Sequence, residues 1–325
     1  MDPVSHVALA YNLACLRRDS FVARGRVAAV VLGALSPDVD VLLLPLGWDR
    51  YMVEHQAGTH ALAGALVCAA LAAGLTRLFV RDGRYLPLLG VAALGTASHI
   101  GFDLFSGATI RLLWPISIGP CSNLGTFAMA DPWVALACIA GTITIWWRPV
   151  RTDLIARIFV GVLLLFSGFK TVSRHEAQSI VVGDLPRARD MLLLPVWGSL
   201  TAWELYARND GSISQWHIDA RNGTMTRRMS VPEFGLPSES PVVRATLDWD
   251  TVRNFRRTHD LAFATASTAS GVTTVRWSDL RYCKPAGVPG LDAGVACAVD
   301  AGAEFGGPHT APRLFVRVGG IVQER

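Results

Sequence analysis

Residues 61–80 read ALAGALVCAALAAGLTRLFV, and this stretch decides the class of fold. Arg77 is its one charged residue and stands near the end of the stretch. A helix of about 20 apolar residues is long enough to cross the hydrocarbon core of a bilayer. The stretch therefore predicts a membrane-spanning helix.

The composition of the whole chain is also typical of a membrane protein. Of its 325 residues, 51% are hydrophobic and 17% are charged, and the mean hydropathy is +0.35. The long apolar runs end near residue 172, whereas residues 200–325 alternate apolar and polar side chains between turn signals, as β-strands do. We predict a mainly α fold: a multi-pass transmembrane helical bundle in residues 1–175, a linker in 176–199 and a soluble β-rich domain in 200–325.

Three further apolar runs have nearly the length of a spanning helix: residues 86–105, 132–147 and 154–172. Two other runs are weaker. Residues 3–16 form a run of only 14 residues, and residues 27–46 are interrupted by Ser36-Pro37-Asp38-Val39-Asp40. We expect these two to pack inside the bundle or to enter the membrane only partway.

The basic residues predict the orientation of the bundle. The net charge is +4, and the positive charges form short clusters beside apolar runs instead of one stripe interleaved with aromatic residues, which argues against nucleic acid as a partner. Loops rich in Arg stay on the cytoplasmic side. The clusters are Arg17, Arg18, Arg24 and Arg26, then Arg77, Arg81 and Arg84, then Arg148 and Arg151. Alternate crossings between them place the C-terminal domain on the extracytoplasmic face.

Seven candidate metal ligands lie within the first 103 residues, and the same threading puts all of them near the extracytoplasmic face. They are His6, Asp38, Asp40, His55, His60, His99 and Asp103. Ionisable residues inside a membrane are costly and are usually functional. A metal site is therefore favoured over a structural network of polar residues, which is the alternative interpretation.

The spacing of these residues suits a metal site. His99 and Asp103 are four residues apart and share one helical face, where they can bind one ion or orient each other. Asp38 and Asp40 follow Pro37, which bends or breaks the helix, so the two carboxylates need not follow helical spacing. Imidazole and carboxylate together suit zinc, with manganese and iron as alternatives.

Several motifs occur in an order that resembles the YdjM-like family of bacterial membrane-bound metal-dependent hydrolases. They are MDPVSH, LGALSPDVD, HQAGTH, SHIGFD, RLLWP and Ala130-Asp131-Pro132, and they cover about residues 1–135. The resemblance implies a helical domain in the bacterial inner membrane that binds divalent metal through the seven residues. It also implies a distant relation to zinc-dependent phospholipase C and P1-type nucleases, which favours phosphoester chemistry.

The sequence departs from the family pattern at Gln56 and Ala57, where Arg-Gly is usual, and at Ala61, where Ser is usual. The missing Arg removes a natural bidentate partner for phosphate oxygens. The seven candidate ligands themselves are intact.

These observations predict a membrane-bound metal-dependent hydrolase. Its substrate would be a membrane lipid or lipid-linked ester, most simply a phosphoester, cleaved at the extracytoplasmic face. Asp38, Asp40 and His99 are the candidate catalytic residues, and one carboxylate could serve as general base instead of ligand. The alternative is a non-enzymatic metal-binding scaffold or a transporter component, in which the ligands would continue along a path toward the Arg-rich side.

Two of the six cysteines, Cys283 and Cys297, flank KPAGVPGLDAGVA in the predicted outer domain. An oxidising compartment would allow them to form a disulfide.

The predicted orientation can be tested with reporter fusions. Fusions at Asp19, Asp82 and Asp153 should report a cytoplasmic location, and fusions after Gly211 an extracytoplasmic one, because the Arg clusters hold their loops inside. An extracytoplasmic signal at Asp82 would invert the bundle.

Overall fold

The computed structural model describes residues 3–16, 25–55, 57–80, 84–107, 110–117, 124–185, 189–209, 212–232, 241–285, 295–297, 299–305, 313–318 and 321–324. The chain forms two compact units. The first, termed the membrane unit, comprises Met1–Leu42, Glu54–Ala177 and Leu194–Trp203. The second, termed the β-rich unit, comprises Leu43–Val53, Gln178–Leu193 and Glu204–Arg325. Arg17, Arg18, Arg24 and Arg81, which carry part of the orientation argument, lie outside the described residues.

The first part of the chain is helical. Its elements are α1 (Pro3–Ala14), α2 (Arg26–Leu35), a 3-10 segment (Ser36–Leu46), α3 (Trp48–His55), α4 (Leu62–Phe79), α5 (Tyr85–Phe105), α6 (Pro132–Trp147), a 3-10 turn (Pro149–Arg151) and α7 (Thr152–Asp184). Helix α5 is central, because it contacts α1, α2 and α4. The segment 176–199, expected to be a linker, holds the end of α7 and the first strand.

Four helical segments of the described chain are long and apolar enough to cross a membrane: Arg26–Leu46, Leu62–Phe79, Tyr85–Phe105 and Pro149–Asp184. The prediction of a multi-pass helical membrane region is thereby confirmed. Helix α4 exposes Leu66, Leu71 and Leu78, a surface that suits lipid contact. Two expectations differ: residues 27–46 join the spans, whereas α6 has only 16 residues and is shorter than a span.

Pro37 does not break the span that contains it, because the carbonyl it frees finds other donors. Proline has no N–H, so the Gly33 carbonyl four residues earlier loses its usual helical partner. The hydroxyls of Ser36 and Thr96 each donate to that oxygen at 2.9 Å. The chain continues as the 3-10 segment, in which Pro37 and Asp40 are buried.

Two glycines let α2 and α5 approach closely. A Cβ atom on Gly95 would lie 2.4 Å from the Val30 carbonyl oxygen, and one on Gly33 would lie 2.2 Å from the Ala92 oxygen. Real side chains cannot occupy such positions, so both helices need Gly here. This contact places the C-terminal end of α2 against the middle of α5.

Polar residues elsewhere in the membrane unit have protein partners. Asp131 caps α6, since its carboxylate accepts from the backbone N–H groups of Trp133 at 3.0 Å and Val134 at 3.4 Å. The fully buried Lys170 donates to the carbonyl oxygens of Ser199 and Leu200 at 3.1 and 3.4 Å. These residues hold the bundle together and need no ligand.

The described part of the chain from residue 189 onward is built mainly from sheets and two short α-helices. Its strands are β1 (Arg189–Pro195), β2 (Ala202–Asn209), β3 (Ser212–Asp219), β4 (Thr224–Pro232), β5 (Ala262–Ala269), β6 (Val272–Asp279), β7 (Cys283–Pro285), β8 (Val295–Cys297), β9 (Val299–Phe305), β10 (Arg313–Val318) and β11 (Ile321–Glu324). They form sheets in the orders β1-β2-β3-β4, β11-β10-β9-β6-β5 and β7-β8. Helices α8 (Pro241–Ala245) and α9 (Asp250–Thr258) bury Val243, Val252 and Phe255 in one cluster with Val275 and Trp277 of β6. The prediction of a C-terminal β-rich region is confirmed; its extracytoplasmic placement stays a prediction.

Cys283 forms a disulfide. Its register partner across the β7-β8 pair is Cys297, as the sequence predicts for the two cysteines. Closing a loop of roughly 15 residues is worth about 3 kcal/mol in the chain-entropy model. A disulfide between these two cysteines would link the two strands of this small sheet.

Replacement of Gly95 with Ala should destabilise the membrane unit, because the added Cβ would overlap the backbone of α2. We expect a loss of about 1–3 kcal/mol in unfolding free energy, the usual cost of overpacking. Thermal unfolding in detergent measures it. Gly90→Ala is the matched control on the same helix, since nothing lies within 4 Å of a Cβ there. Equal melting temperatures for the two variants would refute the close-contact argument.

Candidate metal centre

The side chains of four residues from three parts of the membrane unit meet around the Nε2 atoms of His60 and His99. His99 and Asp103 lie one turn apart on α5, His60 lies in the turn before α4, and Asp38 lies in the 3-10 segment. The Nε2 atoms of His60 and His99 are 3.2 Å apart. Asp38 Oδ1 lies 3.6 Å from the first and 3.5 Å from the second. Asp103 Oδ2 lies 3.6 and 3.3 Å from the same two atoms.

These separations suit the ligands of a single metal ion. A tetrahedral ion with bonds of about 2.0–2.2 Å to imidazole and carboxylate holds its ligand atoms roughly 3.3–3.6 Å apart. Hydrogen bonds from N–H to oxygen are usually shorter, at about 2.7–3.2 Å. The 3.2 Å between the two Nε2 atoms is also a hydrogen-bond distance, whereas the four distances from the carboxylate oxygens to these atoms are closer to those between ligands of one ion.

Both imidazoles are held through their Nδ1 atoms. His99 Nδ1 lies 2.7 Å from the Ala34 carbonyl oxygen, and since a carbonyl only accepts, Nδ1–H is the donor. His60 Nδ1 lies 3.2 Å from Thr59 Oγ1. In both rings Nε2 is therefore the atom turned to the shared centre, and two neutral Nε2 lone pairs at this distance need a positive charge between them.

The carboxylates of the site favour such a charge. Burial lowers the pKa of His60, but the neighbouring carboxylates of Asp38, Asp40 and Asp103 outweigh it and raise that pKa to about 9. A proton is thus favoured on His60 when no other cation is present. A divalent cation would replace this proton and would neutralise more of the negative charge.

His6 completes one side of the cluster. Its ring stacks on His99 with 3.7 Å between centroids, and its Nε2 lies 3.4 Å from Asp103 Oδ1. The ring is fully buried, yet neither nitrogen has a hydrogen-bond partner among the described residues. Buried polar atoms are rarely left so, which makes a ligand role for His6 consistent with the geometry.

Asp40 and His55 form a second layer beside His60. His55 Nδ1 lies 3.0 and 3.2 Å from the two carboxylate oxygens of Asp40. Asp40 Oδ2 also accepts from the Thr59 hydroxyl at 2.9 Å and lies 3.6 Å from His60 Nδ1. Carboxylates that support a metal-bound histidine commonly occupy this place.

The cluster is open on one side. The side chains of Asp38 and His55 keep 26% and 27% of their surface accessible, whereas those of Asp40, His60 and Asp103 are buried. Access to the centre therefore runs past Asp38 and His55.

The structure brings all seven predicted residues together. Among the described residues, three overlapping groups could hold an ion: His6 with His99 and Asp103, Asp38 with His60 and His99, and Asp40 with His55 and His60. Each group shares a histidine with the next, so they form one continuous cluster. The roles of the individual residues stay predictions.

Sequence reasoning missed two contacts of this cluster. The first is the Thr59 hydroxyl. Thr59 directly precedes His60 in HQAGTH, and this adjacency was a sequence signal that could have pointed to the contact. The Ala34 carbonyl carries no sequence signal, because any residue has a carbonyl and only the fold brings this one to His99.

The N-terminal half of the chain matches a known family. The model of the YdjM inner membrane protein family matches residues 1–175, which include the whole cluster. The chain is 23% identical over 154 residues to the uncharacterized protein YfhP of Bacillus subtilis (strain 168). That similarity covers 45% of this chain and 46% of YfhP, so it spans about half the length of each. No solved structure matches the chain.

The family match covers more than half of the chain, and the apolar helices of the same region have the length and composition of membrane spans. The chain therefore belongs to the YdjM inner membrane protein family.

Proposed function

We propose that this protein is a membrane-bound metal-dependent hydrolase that cleaves a lipid-like or membrane-associated ester at the extracytoplasmic face. One observation carries the proposal: Nε2 of His60 and Nε2 of His99 lie 3.2 Å apart, and one oxygen each of Asp38 and Asp103 lies 3.3–3.6 Å from both of them. A divalent ion bound there, such as zinc, would act as a Lewis acid toward water and the ester oxygen.

The geometry suggests a division of roles. His60, His99 and Asp103 are buried and would hold the ion, with His6 as a further ligand beside Asp103. Asp38 has the accessible carboxylate of the four convergent groups, so it can take a proton from the attacking water as general base. Catalytic metal sites commonly use three protein ligands and leave one position open. His60, His99 and Asp103 alone would match that number, and His6 would add a fourth ligand.

The surroundings of the open side favour a lipid-like substrate. Val39, Val41 and Leu42 follow Asp38 in the 3-10 segment and are exposed. An apolar surface beside the accessible carboxylate could hold acyl chains while the ester reaches the ion. The choice of a phosphoester rests on the family resemblance, from which the sequence departs at Gln56, where Arg is usual.

The arrangement also supports a hydrolase over a transporter component. In an ion path, ligands would continue through the bundle toward the Arg-rich side. In the described residues the groups that could hold an ion overlap through His60 and His99 and form one cluster. A single cluster with one accessible side is what an enzyme site requires.

Replacement of His60 with Ala should abolish stoichiometric metal in the purified full chain. His60 contributes to two of the three possible ion groups, so its loss should exceed the roughly 10- to 100-fold effect of residues that only support a ligand. Elemental analysis after dialysis against zinc measures the content. His175→Ala, an exposed histidine on α7, is the matched control. Unchanged zinc in a well-folded His60→Ala variant would place the metal elsewhere.

Replacement of Asp38 with Asn should keep the metal and remove activity. The amide retains an oxygen near the ion but cannot take a proton, so hydrolysis should fall by about 10²- to 10⁴-fold. The assay presents phospholipid and fatty-acyl esters in mixed micelles to the zinc-loaded wild-type and variant proteins. Zinc binding without hydrolysis of any ester by the wild type would instead support the non-enzymatic scaffold.

A further inference from the structure

We propose that Thr59 is a positioning residue. Its hydroxyl connects Asp40 to His60 through two hydrogen bonds and thereby keeps the Nε2 lone pair of His60 directed at the metal centre. The inference rests on the proposed function, because it assumes that His60 binds an ion. It assigns to Thr59 a role that is distinct from that of a ligand. Asp40 then acts through Thr59 instead of binding the ion itself.

The hydroxyl of Thr59 sets the direction of this chain. A hydroxyl has one hydrogen, and that of Thr59 is donated to Asp40 Oδ2 at 2.9 Å. Toward His60 Nδ1, at 3.2 Å, the same oxygen can then only accept. Nδ1 of His60 therefore carries the hydrogen, and its Nε2 presents a lone pair to the shared centre.

The acceptor end of the chain is itself fixed. The Asp40 carboxylate is buried and also accepts from His55 Nδ1 at 3.0 Å. A carboxylate accepts but does not donate, so the hydroxyl hydrogen of Thr59 points to Asp40 and not to His60. The direct separation of Asp40 Oδ2 and His60 Nδ1 is 3.6 Å, too long for a hydrogen bond, and the Thr59 hydroxyl lies between the two groups.

The backbone of the turn fixes Thr59 in place. Ala61 N–H donates to the Ala57 carbonyl at 2.7 Å, which closes the turn around Thr59. A Cβ on Gly64 would lie 2.0 Å from the Gly58 carbonyl oxygen, so the turn packs directly on α4. The hydroxyl thus has little freedom to take other partners.

Both imidazoles of the centre are fixed through Nδ1, one by a backbone acceptor and the other by a side-chain acceptor. His99 Nδ1 donates to a backbone carbonyl, that of Ala34, which substitution cannot remove. His60 Nδ1 depends on a side-chain hydroxyl, which substitution can remove. Without Thr59, His60 could rotate or place its hydrogen on Nε2, and the ion would lose that ligand for part of the time.

The test titrates Co²⁺ into the full chain in detergent and records affinity, the visible spectrum of the bound ion and the metal-free melting temperature. Thr59→Val keeps the shape but loses the hydroxyl, and should weaken Co²⁺ binding by about 10- to 100-fold with an altered spectrum. Thr59→Ser keeps the hydroxyl and should restore both. Thr76→Val, which removes a buried hydroxyl that bonds within α4, is the matched control and should bind as the wild type does.

The outcomes separate this inference from the proposed function. If the wild type binds Co²⁺ and Thr59→Val keeps wild-type affinity and spectrum, the hydrogen-bond chain (the relay from Asp40 through Thr59 to His60) does not position His60, and the metal site stands. If Thr59→Ser binds as weakly as Thr59→Val, the hydroxyl is not the cause and the relay is also wrong. If the wild type binds no Co²⁺ or Zn²⁺, both proposals fail. Should Thr59→Val not fold, Thr59→Ala removes the hydroxyl without added bulk and gives the same readout.

Discussion

The hydrogen bond from His99 Nδ1 to the Ala34 carbonyl, 2.7 Å long, is the interaction on which the candidate site depends. It is possible only because Gly33 and Gly95 let the two helices touch backbone to backbone. Next to it, Pro37 frees the Gly33 carbonyl, which accepts instead from the hydroxyls of Ser36 and of Thr96 on α5. Unpaired carbonyls at a helix end would be costly in a membrane, but here the Ala34 carbonyl orients a candidate ligand, His99.

The chemistry of the cluster follows from where its charges lie. Buried carboxylates and imidazoles are expensive unless they are paired or bind a metal. Here the Nε2 atoms of His60 and His99 face each other, and both nitrogens of His6 lack a hydrogen-bond partner among the described residues. Carboxylate oxygens of Asp38 and Asp103 lie 3.3–3.6 Å from the imidazoles of His6, His60 and His99, a spacing close to that required around one ion.

Several other buried polar groups of the membrane unit donate hydrogen bonds to, or accept them from, protein groups. The Asn12 amide donates to the Cys138 carbonyl at 3.0 Å and to Thr142 Oγ1 at 2.9 Å, which joins α1 to α6. Lys170 and Asp131 likewise bond to backbone groups. Polar side chains commonly fasten helices in this way. The contrast separates residues that stabilise the bundle from residues arranged for a ligand.

The sequence by itself determined the helical membrane region, the β-rich region and the seven residues of the cluster. Apolar runs near the length of a span and the alternation after residue 200 are local patterns, and local patterns set the type of element. The sequence also showed His99 and Asp103 on one helical face, because helical spacing fixes that pair. It underrated residues 27–46, since Pro37 alone predicts an interruption, and it overrated residues 132–147 as a span.

Only the tertiary structure decided how the seven residues are arranged. Which carbonyl meets His99, which oxygen meets His60, and which carboxylate stays accessible all depend on contacts between segments far apart in the chain. The approach of α2 to α5 brings Ala34 to His99, 65 residues apart, and the turn before α4 brings Thr59 to Asp40, 19 residues apart. These pairings follow from packing, because a backbone carbonyl carries no spacing signal and the position of Thr59 beside His60 does not indicate that its hydroxyl meets Asp40.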